Sequence, residues 1–193
     1  MSAAGRGAGS TSGFRRWGGA PGGSLGDMTT RTARPVPPSV VRELLVTDDA
    51  GRPAVPHTDD EGGAPLRCCL RRSRPGERVA LVSYAPLRRW AAGTGADPGA
   101  YDEQGPVFLH AGECAGPQGT DLPFTHAHRV LRRYSADGRI LGGRLVEAPE
   151  DFAPALTEAF ADPATALVHV RAVEYGCFLY EVRRAGPHDT PQP

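Results

Sequence analysis

Apolar positions recur along this chain in short bursts separated by turn residues, so the elements they predict are brief. Val40, Val41, Leu44 and Leu45 return at helical spacing behind Ser39, a residue suited to capping, and predict a helix over 38–46. A polar stretch rich in Asp, Gly and Pro, residues 47–65, predicts a long surface loop. Residues 66–72 and 78–84 flank Ser-Arg-Pro-Gly, whose Pro and Gly suit a turn, and together predict a β-hairpin. Residues 106–110 predict a short buried strand, and 129–134 with 139–146 around Ala-Asp-Gly predict a second hairpin. Phe152, Leu156 and Phe160 share one face of a helix over 152–161, with Asp151 placed to cap it and Pro154 in its first turn. A third strand pair, 165–171 and 177–183, closes the pattern around Gly176. Hairpins with two short helices predict one compact α+β domain with a mainly antiparallel sheet.

Composition sets the ends of that domain. Nine of the 25 glycines fall in the first 27 residues, and residues 1–34 are dominated by Gly, Ser, Ala and Arg. Such a segment buries too little apolar surface to offset its ordering entropy, so a disordered leader is expected there. The domain is expected over 35–184, with a flexible tail over 185–193. Across the whole chain, 22 basic and 22 acidic residues leave no net charge, which argues against nucleic acid or an anionic membrane surface as partner. No stretch approaches the length of an apolar membrane span and no secretory leader is evident, so a cytoplasmic location is expected. All the basic residues are Arg, and Asn is absent as well. Schiff-base lysine chemistry, a phosphate-loop lysine and a Cys-His-Asn triad are thereby excluded.

Four stretches carry a family resemblance. They are PLRCCLRRSRPGERVALVSYAP (65–86), GPVFLHAGEC (105–114), RRYSADGRI (132–140) and VHVRAVEYGCFLYEVRR (168–184). Their order resembles the bacterial domain of unknown function 1203, over about residues 35–184. The resemblance implies a shared compact domain and brings no activity with it.

Chemistry must therefore be sought in the residues. If 66–72 is a strand, Cys68 groups with Leu66 and Leu70 as a core residue, while Cys69 falls between Arg67 and Arg71. Flanking guanidinium groups favour a reactive thiolate at Cys69; alternatively the three form a solvated face. His110 ends an apolar strand four residues before Cys114, and imidazole with thiolate is half of a zinc-type site. His126 and His128 can share a face as two ligands or as two polar residues at a strand entrance. His169 and Arg171 share a face of an apolar strand, with Cys177 beyond the turn. Arg171 there suits a bidentate clamp on a carboxylate, or a structural ion pair.

Three functions compete on these residues. The first is a binding domain that takes a small anionic ligand, or an acidic peptide of a protein partner, through Arg67, Arg71 and Arg171. The second is a small enzyme with Cys69 or Cys177 as nucleophile or metal ligand and His110 or His169 as acid/base group, which requires a thiol within hydrogen-bond reach of an imidazole. The third is a metal-dependent protein using His110, Cys114 and two further ligands.

Overall fold

In the computed structural model, residues 32–119 and 122–184 are described. The leader expected over 1–34, apart from residues 32–34, and the whole tail over 185–193 lie outside them. Ala33 and Arg34 join the folded part: Ala33 is buried, and Arg34 forms a β-bridge with Glu181.

The elements follow in chain order. Helix α1 (Pro38–Val46) buries Val41 and Leu44 and starts on Pro37–Pro38. Ser39 lies inside its first turn and does not cap it, because Pro at the first helical position needs no donor partner. Short strand β1 (His57–Asp59) interrupts the predicted loop. Strands β2 (Pro65–Leu66) and β3 (Arg71–Arg72) are two residues each, and β4 (Glu77–Tyr84) is the long strand. Helix α2 (Pro86–Thr94) is a third helix beyond the two predicted; it buries Leu87, Trp90 and Ala91 at helical spacing and ends on left-handed Gly95. Strand β5 (Gly105–His110) precedes the hairpin of β6 (Arg129–Tyr134) and β7 (Ile140–Val146). Helix α3 (Phe152–Ala161) and strands β8 (Leu167–Ala172) and β9 (Phe178–Arg183) complete the chain. The Asp151 side chain makes no capping bond to α3. None of the described helices is long and apolar enough to cross a membrane.

These elements form two mostly antiparallel sheets, a single α+β fold. One sheet runs β1-β4-β5-β2-β3 and the other β7-β6-β8-β9. The expected hairpin of 66–72 with 78–84 is corrected here: β4 pairs with β1 and β5, while β2 pairs with β3 and, in parallel, with β5. Gly76 still turns the chain into β4 at a positive φ, but the chain before it doubles back on itself.

Three apolar clusters hold the layers. Leu156 and Phe160 of α3 pack with Leu131, Val168, Val170 and Val182 of the second sheet. Val41 and Leu44 of α1 pack with Leu66, Val79, Val82, Val107 and Leu109 of the first. Leu87 and Trp90 of α2 join Tyr134 and Leu167. Burying each such side chain contributes roughly 1.5–3 kcal/mol, so α2 is fixed by its apolar face and not by capping. Phe178 of β9 enters the first sheet's cluster and lies 5.6 Å from the Tyr84 ring. Beside it the buried Arg67 donates through Nε to the Phe178 carbonyl at 2.9 Å, tying the two sheets together.

Candidate metal centre

The site begins where β2 stops. The Arg67 amide donates to the Phe108 carbonyl at 2.9 Å, and Leu70 N–H returns to Leu66 O at 2.9 Å, closing a one-turn loop over 67–70. Leu70 closes it with φ at +58°, in the left-handed region that few non-glycine residues occupy. A strand would send Cys68 and Cys69 to opposite faces; the turn sends both to the same place. This corrects the strand-based alternation at Cys68 and Cys69, and it removes the solvated face of Arg67, Cys69 and Arg71.

Both sulfurs meet the His110 ring. Cys68 Sγ lies 3.3 Å and Cys69 Sγ 3.7 Å from Nδ1, and the His110 backbone N–H donates to Cys68 Sγ at 3.3 Å. Cys114, on the irregular segment after β5, completes the group: the four donor atoms of Cys68, Cys69, His110 and Cys114 all lie within 4.8 Å of one another. A tetrahedral zinc ion with bonds of about 2.3 Å to sulfur and about 2.0 Å to nitrogen requires donors about 3.5–3.8 Å apart. The cluster fits such an ion with a small contraction.

Electrostatics point the same way. Contact with Cys69 and burial push the Cys68 thiol up, while hydrogen bonds from Cys68 and from the Arg71 amide, with the Arg71 charge, lower Cys69 against its own burial. On the far side of the ring, Nε2 is 3.1 Å from Arg71 Nη2 and 3.6 Å from Glu77 Oε2. Arg71 grips both Glu77 oxygens, at 2.9 and 2.7 Å, and this holds the Glu77 carboxyl down to about 2. Arg71 Nη2 can only donate, so Nε2 accepts from it when the ring proton is on Nδ1; ligation through Nδ1 moves that proton to Nε2 and requires the ring to turn away from Arg71 toward the Glu77 carboxylate.

Solvent reaches the cluster from two directions. A cleft of about 320 Å³ touches Cys69, Arg71, Thr32 and Gln118. A groove of about 790 Å³ touches Cys68 and Cys114, walled by Val36, Val41 and Leu45.

The remaining residues singled out from sequence lie elsewhere. His169 is 1% exposed, its ring 4.7 Å from Tyr134 and 5.0 Å from Phe178, and neither of its nitrogens makes a hydrogen bond. Burial, then the charges of Arg171, Arg132 and Arg183, hold its basicity well below the ordinary range, so the ring is neutral. Arg171 donates to Glu103 Oε1 at 2.5 Å and to the Gly176 carbonyl at 2.9 Å, and Arg132 shares the same Glu103 oxygen at 2.6 Å. Cys177 faces the Tyr175 carbonyl at 3.7 Å, in a small cleft that Arg171 also lines. His126 and His128 are exposed ahead of β6 and take no part in the cluster. Arg67, Arg71 and Arg171 thus occupy three separate settings, each with protein acceptors.

Two contributors escape a strand-based reading. Cys68 is hidden by the assumption of alternation, and Glu77 reaches His110 only through the pairing of β4 with β5. The pattern Cys-Cys followed downstream by His-x-x-x-Cys was the available signal.

No curated protein and no solved structure matches the chain. A family model matches residues 63–184, which contain all four cluster residues and leave α1 and β1 outside. The chain belongs to the DUF1203 family, proteins of unknown function.

Proposed function

We propose that this domain binds one divalent transition-metal ion of the zinc class through Cys68, Cys69, Cys114 and His110 Nδ1. The observation that carries it is the convergence of four soft donors within 4.8 Å from two separate stretches of chain. Three thiolates and an imidazole select soft or borderline ions over magnesium or calcium. Three thiolates with a divalent ion leave one net negative charge, and the Arg71 guanidinium stands against it. The four protein ligands satisfy a tetrahedral ion, which makes the centre a clamp between the 67–70 turn and the end of β5. Three thiolate ligands must stay reduced, which fits the cytoplasmic placement expected from the sequence.

Metal analysis of the untagged protein tests this directly. About one zinc per chain is expected, and cobalt substitution should give the intense visible bands of tetrahedral cobalt with thiolate ligands. Stoichiometry far below one ion per chain after zinc loading overturns the reading.

The anionic-ligand reading retains one supporting observation: Arg171 lines the small cleft with Tyr84 and Cys177. Arg67 and Arg71 do not add to it, since Arg67 is buried against the Phe178 carbonyl and Arg71 serves Glu77 and His110.

A further inference from the structure

The two openings onto the cluster are chemically different. Cys69 faces the 320 Å³ cleft with Arg71, whereas Cys68 and Cys114 face the larger groove on the other side. Cys69 is only 5% exposed, so the cleft admits a small molecule to its sulfur and bars a bulky disulfide. Arg71 stands in the same cleft as a fixed positive charge, its terminal N–H groups held by Glu77, the Arg72 carbonyl and His110, and that charge favours an oxygen that departs with negative charge.

We propose that Cys69 is a modification site for small hydroperoxides, and that its oxidation onto Cys114 expels the ion; the release step rests on the metal reading above. The Cys69 thiolate attacks one peroxide oxygen, the O–O bond breaks, and hydroxide leaves to be protonated as water. Cys69 is then a sulfenic acid. The Cys114 thiolate attacks that sulfur, the S–O bond breaks, hydroxide leaves, and a disulfide forms. Two thiolates have supplied two electrons and solvent two protons, so hydrogen peroxide becomes two waters and an organic hydroperoxide an alcohol and one water. The ion has lost two of its four ligands.

Geometry selects the resolving sulfur. Adjacent Cα atoms are about 3.8 Å apart, short of the roughly 4.4–6.8 Å that ordinary disulfides span, so a Cys68–Cys69 bond is strained. Cys114 comes from a different segment, with its sulfur within 4.8 Å of Cys69. Cys177 lies in another cleft and outside the sulfur cluster.

The experiment uses zinc-loaded full-length protein, hydrogen peroxide, a chromophoric zinc chelator and peptide mapping by mass spectrometry. Zinc release should track the loss of two hydrogens and a Cys69–Cys114 cross-link, and dithiothreitol should restore binding. Oxidised glutathione should release zinc at least about tenfold more slowly, given the burial of Cys69. Cys177→Ser should release within about twofold of wild type, and Arg71→Lys, which keeps a charge but loses the bidentate grip on Glu77 that fixes it beside the cleft, should release several-fold more slowly. In Cys114→Ser, loaded or not, dimedone should trap a sulfenic acid at Cys69. Peroxide that leaves zinc bound, a Cys68–Cys69 cross-link, or dimedone trapped at Cys177 ahead of Cys69 overturns the proposal. Failure to load zinc at all overturns the metal reading, and the peptide map of the zinc-free chain then decides the sulfur chemistry by itself.

Discussion

In the turn after β2, Cys68 and Cys69 bring their sulfurs to one imidazole, and Cys114 joins them. In the β8–β9 hairpin, His169, Arg171 and Cys177 spend their polar atoms on separate neighbours or on none. The two regions hold the same side-chain types, yet only one concentrates donors. The difference lies in the backbone. Regular strands distribute successive side chains to opposite faces, and β8 is buried on both, so its imidazole is walled in by Tyr134 and Phe178. The 67–70 turn breaks that alternation, using a strained Leu70 to do so, and strained backbone tends to gather at functional sites.

The sharpest way to break the comparison is to remove donors from each region. Cys68→Ser or Cys69→Ser should lower zinc affinity by orders of magnitude, while Cys177→Ser should leave stoichiometry unchanged; a competition titration reads both. The wild-type affinity should also fall as pH drops, because thiols must lose protons to bind the ion. Next in size is the tie between the sheets: Arg67→Ala should destabilise by about 3 kcal/mol in urea unfolding, since it leaves the Phe178 carbonyl bare and opens a cavity. Glu77→Gln should weaken zinc binding by about 10–100-fold with little loss of fold, as expected for the carboxylate that holds Arg71 beside the ligand histidine.

The smallest effect tests the other region. His169→Phe should be neutral or stabilising by about 1 kcal/mol, because a ring of similar shape replaces one with two unsatisfied nitrogens. Its sign with pH is fixed as well. The folded chain keeps His169 uncharged, whereas the unfolded chain takes up a proton near pH 6.5, so wild-type stability falls as pH drops below about 6.5. The Phe variant should lack that component, at most about 1.4 kcal/mol per pH unit. A His169→Phe protein that loses zinc would erase the distinction between the two regions.

Much of the framework was legible in the chain. The β6–β7 hairpin, α1, α3 and the β8–β9 pair follow from periodicity and turn residues, because those elements bury one clear face against a neighbour. Helix α2 carried a readable stripe of Leu87, Trp90 and Ala91, obscured by its arginines and by Gly93. The site was half legible: His110 and Cys114 stand four apart with metal-ligand character. Cys68 was not, since seven residues that look like one strand contain a turn set by Leu70, a residue with no turn preference. Arg67 was misleading for a related reason. A buried guanidinium is visible only once the carbonyl it serves, Phe178, has been brought across from the far end of the chain.

Strands β2 and β5 are the one parallel pair among the described strands, meeting at Leu66 and Phe108 with β3, β4 and α2 strung between them. A pairing of that kind forms late, since its ends must search for each other across a long loop before any contact rewards the search. The four donors straddle this junction: Cys68 and Cys69 just past β2, His110 and Cys114 at and just past the end of β5. On the metal reading proposed above, an ion caught by both ends would shorten the search, and zinc-loaded protein should then refold faster than the metal-free chain.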